Sequence, residues 1–241
     1  KIQQFNPAGA RSQSTMLTLA AIALVAPAAF HHLAGQAGLP HEVDLSQEIA
    51  VILLVTYALG LLFSLRTHRH LFCGAHGSES RKHAHEWKPA TAVVVLAVST
   101  VLIGWISEIL VGSVEPAARS LGMTGVFVGV IVVAIIGNAA EHSTAVLAAV
   151  KDRMDLSIGI ALGSSIQIAL FVAPVLVLAS LALGPRPMDL VFTVPEVLAV
   201  VMAVYISGQV TSDGESNWLE GVQLLSVYLI LAVVFYFLPA A

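Results

Sequence analysis

The sequence predicts an all-α polytopic membrane protein with seven transmembrane helices. Three observations carry that prediction: charge is scarce, apolar stretches recur at the length of a bilayer, and breaker residues separate them. Of the 241 residues, 57% are hydrophobic and only 11% are charged, whereas a soluble domain carries about 25% charged residues. With a mean hydropathy of +0.88, the chain has too little charge to cover a water-facing surface. Its expected partner is the lipid bilayer. The net charge of −4 supplies no basic field, so no nucleic-acid partner is expected. A single cysteine, Cys73, excludes an internal disulfide. The opening "KIQQFNPAGARSQS" is polar and lacks the apolar core of a signal peptide.

A spanning helix needs ~20 mostly apolar residues. The first stretch of that kind, 14–33, ends at His31 and His32 before the breakers of "GQAGLPHEVD". The second, 47–65, runs into the one long connector, "RTHRHLFCGAHGSESRKHAHEWK" at 66–88. A third, 89–111, opens at Pro89 and gives way to "GSVEPAARSLG", read as a connector. The fourth and fifth, 124–150 and 156–183, are joined by the short turn "KDRMD", and Pro174 is expected to kink the fifth. The sixth, 189–210, lies between "GPRP" and "TSDGESN"; the seventh, 218–238, carries Trp218, Tyr228 and Tyr236 for interface or packing use. No strand pattern competes with these helices.

Orientation follows from the Lys and Arg residues of short loops. An alternating seven-span path puts Lys1, Arg11, Arg66, Arg69, Arg81, Lys82, Lys88, Lys151 and Arg153 on one side. Only Arg119 and Arg186 of the eleven basic residues fall on the other. The N-terminus, the His-rich loop, "KDRMD" and "TSDGESN" are therefore expected on the cytoplasmic side, and the C-terminus outside.

Intramembrane polarity concentrates in spans four and five. In "IVVAIIGNAAEHSTAVLAAV", Asn138 and Glu141 are three residues apart and share a helical face, with Gly137 beside them where a helix can bend or unwind. A carboxylate deep in hydrocarbon is costly, so Glu141 is expected to face the bundle interior or a hydrated cavity and to serve function. The alternative is a neutral Glu141 acting as interhelical glue. His142 is next to Glu141, roughly 100° away around the helix, so the two cannot converge on one point. An intramembrane zinc pair would use the H-E-x-x-H spacing, which is absent; a proton-handling or hydrogen-bonding role suits His142 better. In span five, "LSIGIALGSSIQIALFVAPVLVL", Ser164 and Gln167 share a face with Ser165 beside them, and Gly159 and Gly163 would allow close backbone approach. Small residues with Ser and Gln also serve plain helix packing. Two antiparallel spans, each with a glycine break and oxygen-bearing side chains at similar depth, form the pattern of transporter sites. Carboxylate, amide, hydroxyl and backbone oxygens form a hard site suited to Ca²⁺, Na⁺ or Mg²⁺. Only one carboxylate is certain there, so the site reads as half complete.

Other candidates are secondary. Glu108 and Glu115 near the outer end of span three would attract cations or simply be solvated, and Glu196 in "FTVPEVL" could snorkel to the outer boundary. His68, His70, His76, His83 and His85 would chelate a metal or belong to a hydrated loop.

Taken together, "GNAAEHSTAVLAAVKDRMDLSIGIALGSSIQIALFVAPVLVL" at 137–178 resembles the second signature repeat of the Ca²⁺/H⁺ antiporters, the CAX branch of the Ca²⁺:cation antiporter superfamily. "FSLRTHRHLF" and "SEILVGSVEPA" extend the resemblance through the chain. It implies part of an eleven-helix inverted-repeat exchanger fold: 1–65 the last two helices of a first repeat, 66–88 a cytoplasmic loop, and 89–241 the second five-helix repeat. It further implies that Glu141 is the carboxylate that alternately binds Ca²⁺ and a proton, with Asn138 and a carbonyl near Gly137 completing its side. His142 would assist, and Ser164, Ser165 and Gln167 would line the facing helix. No cofactor is implied; Ca²⁺ and H⁺ are the transported ions. A missing N-terminal repeat, in the same chain or as a cleaved piece, would supply the opposing carboxylate. The expected setting is a bacterial plasma membrane or a vacuolar one. The residues themselves leave open Na⁺-coupled exchange on the same fold, an intramembrane metalloenzyme, and a structural membrane subunit.

Overall fold

In the computed structural model the chain is almost wholly helical, and the structure describes residues 2–68 and 88–239. The side chains of Glu115 and Arg119 fall outside that description. So do the loop histidines at 70, 76, 83 and 85 and the thiol at 73. The helices are α1 Pro7–Ala34, α2 Glu42–Leu62, α3 Pro89–Ser120, α4 Gly125–Gly137, α5 Ala139–Val150, α6 Met154–Leu183, α7 Val194–Val210 and α8 Trp218–Phe237. Two short strands, β1 Gln3–Gln4 and β2 Glu215–Ser216, pair antiparallel. Five helices are long and apolar enough to cross a bilayer, at Pro7–Ala37, Leu39–Thr67, Pro89–Ala118, Met154–Leu183 and Trp218–Phe237. A sixth crossing is the bent pair α4 and α5.

The sixth expected span differs from its prediction. The stretch read as 189–210 is helical only over Val194–Val210, 17 residues, or ~25 Å against a ~30 Å hydrocarbon core. Residues 184–193 are non-helical. Pro185 and Pro187 explain where this stretch begins, since the residue before a proline is driven out of the helical region, whereas Pro195 sits in the first turn of α7, where proline is tolerated. Glu196 then starts α7 rather than snorkelling: its Oε2 accepts from the Thr193 backbone N–H at 2.8 Å and the Thr193 hydroxyl at 2.7 Å. The connector reading of "GSVEPAARSLG" is likewise corrected, because α3 continues to Ser120 with Pro116 inside it.

Helix starts follow ordinary capping chemistry. Asn6 Oδ1 accepts from Ala8 N at 3.0 Å and Gly9 N at 3.4 Å, with Pro7 at the first helical position. Asn217 does the same for α8, accepting from Leu219 N at 3.0 Å and Glu220 N at 3.2 Å.

The described residues form two units, 2–68 with 140–228, and 88–139 with 229–239. In the first, α1 packs against α2, the N-terminal half of α6, and α7, while α2 packs along the C-terminal half of α6. Ala20, Leu53, Ile166 and Leu170 make one buried cluster, and Ala50, Val177 and Leu190 another. Alanines at the crossings bring the backbones close, which is how helices associate where lipid is as apolar as leucine. In the second unit, α3 meets the Val128–Val133 segment of α4, and Phe127 packs edge-to-face on Tyr236 with 5.4 Å between ring centroids. Most outward side chains are large and apolar, Val101 (72% exposed) and Leu225 (64%) among them, as hydrocarbon requires and water would not allow.

The first unit also bears on topology. β1 joins the N-terminus to the loop after α7. Gln3 Nε2 donates to the Ala149 carbonyl at 2.7 Å and to Asp152 Oδ1 at 3.0 Å, and Asn6 N donates to Asp155 Oδ1 at 2.6 Å. The three segments expected on one side, the N-terminus, "KDRMD" and "TSDGESN", therefore meet at one end. At another end of the helices, His31 Nδ1 lies 2.7 Å from Glu42 Oε1, and Leu190 N donates to Ser46 Oγ at 3.0 Å. Ser46 is fully buried and Leu190 is 3% exposed, so Ser46→Ala strands a buried N–H. That loss should cost about 1–3 kcal/mol, read as a lower thermal unfolding midpoint in detergent.

Candidate functional site

The polar segment of span four sits at a break in the helix. α4 ends at Gly137, Asn138 leaves helical geometry (φ −100°, ψ 13°), and α5 starts at Ala139. The two pieces are bent by 54°. Asn138 holds the break on its α4 side: its backbone N–H reaches the Ala134 carbonyl at 3.1 Å, and its side-chain Nδ2 donates to the same oxygen at 2.9 Å. An asparagine suits this place because its short amide satisfies backbone groups outside a regular helix. Gly137 has no atom within 4 Å of where a Cβ would be, so no close neighbour among the described residues requires a glycine there.

Glu141 is in the first turn of α5, half-buried, and His142 beside it is exposed. The helix N-terminus favours negative charge there. In the chain Glu141 follows Asn138 by three residues, on the far side of the helix break. His142 points from another face, as its spacing required. Among the described residues no group of three His, Cys, Asp or Glu side chains gathers anywhere.

The structure does not bring span five onto Glu141 by hydrogen bonds. Ser165 Oγ donates within its own helix to the Ala161 carbonyl at 3.2 Å. Ser164 is half-buried, and Gln167 is exposed. Gly159 and Gly163, expected to admit a close neighbour, have nothing within 4 Å of a would-be Cβ. Helix α6 uses other positions to pack: Leu162, Ile166 and Leu170 are buried. Of this polar stretch, Ser165 and Gln167 are exposed and Gly159, Gly163 and Ser164 are half-buried. Glu108 is exposed on α3, and Glu115 lies on that helix with its side chain outside the description.

One feature of both spans carries no sequence signal. π-helical turns occupy Val128–Val133 in α4 and Ile168–Val172 in α6. Each falls within about two turns of the polar residues, and such turns frequently accompany functional sites. Nothing in "VGVIVV" or "IALFV" marks them.

Apolar helices with an interrupted crossing that carries an amide and a carboxylate define an integral membrane protein built as a secondary transporter. The profile of the family described as "Sodium/calcium exchanger protein" matches residues 91–237. A "Ca(2+)/H(+) antiporter" of Synechocystis sp. is 44% identical over 255 residues, covering 99% of this chain and 68% of its own length. "Ca(2+)/H(+) antiporter ChaA" of Bacillus subtilis is 41% identical, covering 99% and 67%. The solved structure of native YfkE matches with a TM-score of 0.78 at 39% identity, covering 99% of this chain and 66% of that one. The chain belongs to the sodium/calcium exchanger family and, within it, to the Ca²⁺/H⁺ antiporter (CAX) branch. It spans about two thirds of the length of these relatives.

Proposed function

We propose that this chain carries one side of the ion site of a Ca²⁺/H⁺ antiporter that moves Ca²⁺ out of the cytoplasm against protons. The single observation behind this is the half-buried Glu141 three residues past the Asn138 break, in a chain of this family. Glu141 alternately holds Ca²⁺ and a proton. Asn138 and a carbonyl near Gly137 add neutral oxygens, as a hard cation needs 6–8 of them. An empty, charged site in hydrocarbon is costly, so departure of the ion and arrival of a proton are linked, and that linkage is the exchange.

His142 lies on a neighbouring face and passes or steadies the proton rather than binding the ion. Ser164, Ser165 and Gln167 occupy the polar stretch of α6 and line the path. One carboxylate does not neutralise Ca²⁺; in this reading the second comes from the part of the relatives' length that the chain does not span. Glu108 and Glu115 are reserve sites for cations on the outer approach. The protein is a transporter and not an enzyme.

The experiment uses the intact protein in sealed vesicles free of Na⁺. An inside-acid pH gradient should drive Ca²⁺ uptake, and addition of Ca²⁺ should dissipate the gradient. If only an outward-directed Na⁺ gradient supports uptake, the fold is exchanging Na⁺ and the proton reading fails.

A further inference from the structure

A cavity of about 670 Å³ lies between α1 and α7, away from Glu141 and from every residue assigned to exchange. Its α1 wall is Thr18, Ile22 and Val25, and its α7 wall is Val201, Tyr205 and Gln209. The volume falls in the range of small-molecule sites, about 300–1,000 Å³. The wall is graded along one axis. Thr18 and Gln209 stand at the end toward β1 and β2, where α7 finishes, and in the other direction the walls are aliphatic apart from Tyr205. Gly208 closes the floor at the polar end, where an added Cβ would come within 3.1 Å of Ser14 Oγ.

The α1 stripe continues past the cavity to Arg11, since Arg11, Ser14 and Thr18 follow at helical spacing on one face. Arg11 is exposed, and its Nη2 donates to the Ser212 carbonyl, just beyond α7, at 3.4 Å. A guanidinium has five N–H donors, and this long bond uses one. The distance from Arg11 to Thr18 along the helix is ~10.5 Å, so the cation lies about two turns beyond the polar end of the groove, on the same face of α1. Tyr205 lines the groove and is 67% exposed, with a hydroxyl to offer.

The geometry points to a binding site for one anionic phospholipid: an acyl chain lies in the groove between α1 and α7, and its phosphate is held by Arg11. Charge complementarity selects this occupant. A neutral helix would fill the apolar part and leave the guanidinium unanswered, whereas basic positions at the membrane face between transmembrane helices bind acidic headgroups. The site is separate from Glu141, so it stands or falls independently of the ion that is carried.

The test reads lipid contact directly in the intact protein. Tyr205→Trp places a fluorophore in the groove, above the signal of the three natural tryptophans. The protein is reconstituted in phosphatidylcholine vesicles containing either brominated phosphatidylglycerol or brominated phosphatidylcholine at equal mole fraction. Brominated phosphatidylglycerol should quench the new tryptophan at about five-fold lower mole fraction, the preference expected of one basic side chain at the surface. Arg11→Ala should erase that preference, Arg11→Lys should keep most of it, and Ala26→Phe, which fills the groove, should weaken quenching by both lipids. Equal quenching by the two lipids overturns the site and leaves ordinary annular contact. Absence of quenching by either also overturns it, because the groove is then covered by protein, a second copy included.

Discussion

Glu141→Gln should abolish Ca²⁺-driven proton movement while leaving the protein folded. Glutamine keeps the size and one oxygen of the side chain but cannot carry a charge or exchange a proton. Glu141 is half-buried and makes no hydrogen bond that the fold depends on among the described residues, so the unfolding midpoint should stay close to that of the parent. Removing one partner of a desolvated charge pair costs about 2–5 kcal/mol, or roughly 30- to 5,000-fold in cation affinity. Vesicle uptake at a fixed low Ca²⁺ concentration should drop to background. Glu141→Asp should retain part of the activity, since it moves the carboxylate by one methylene without removing it. Uptake at the parent rate in the glutamine variant would mean that another group carries the ion.

The second large effect is on stability. Leu53 is fully buried where α2 meets α1 and α6, against Ala20, Ile166 and Leu170. Leu53→Ala leaves a void that the alanine at position 20 is too small to fill. In a bilayer the transfer part of the usual loss nearly vanishes, because lipid is as apolar as the core. The lost contacts remain, and at about 24 cal/mol per Å³ of cavity they amount to about 2 kcal/mol. The midpoint of thermal unfolding in detergent should fall by several degrees, and Leu53→Met, which conserves volume, should restore most of it. An unchanged midpoint for the alanine variant would show that this cluster does not hold the three helices together.

How much was legible in the sequence depends on which physical rule was at work. Gly137-Asn138 in an apolar run announces a helix break, and the structure breaks there. The alternation of loops was legible from basic residues, and the meeting of Gln3 and Asn6 with Asp152 and Asp155 agrees with it. The short α7 was also written in the chain: Thr193-x-x-Glu196 with Pro195 inside it, following Pro185 and Pro187, is a helix start, and hydropathy alone hid it by counting Leu190 and Phe192 as membrane residues. Leu190 is instead buried against Ala50 and Val177 in a non-helical segment. The π-helical turns were not legible, since an extra residue per turn has no compositional mark. Nor was the rotation of α6. Ile166 and Leu170 pack inward and leave Gln167 outward, a choice fixed by what α1 and α2 offer, not by α6's own sequence.

The most direct measurement is proton release on Ca²⁺ binding. The purified intact protein, in detergent and a weakly buffered solution with a pH dye, is mixed with Ca²⁺. If Glu141 exchanges a proton for the ion, the parent protein acidifies the medium in a saturable way, and the Glu141→Gln variant releases fewer protons or none. Identical release from the two proteins would contradict the assignment of Glu141 as the exchanging carboxylate.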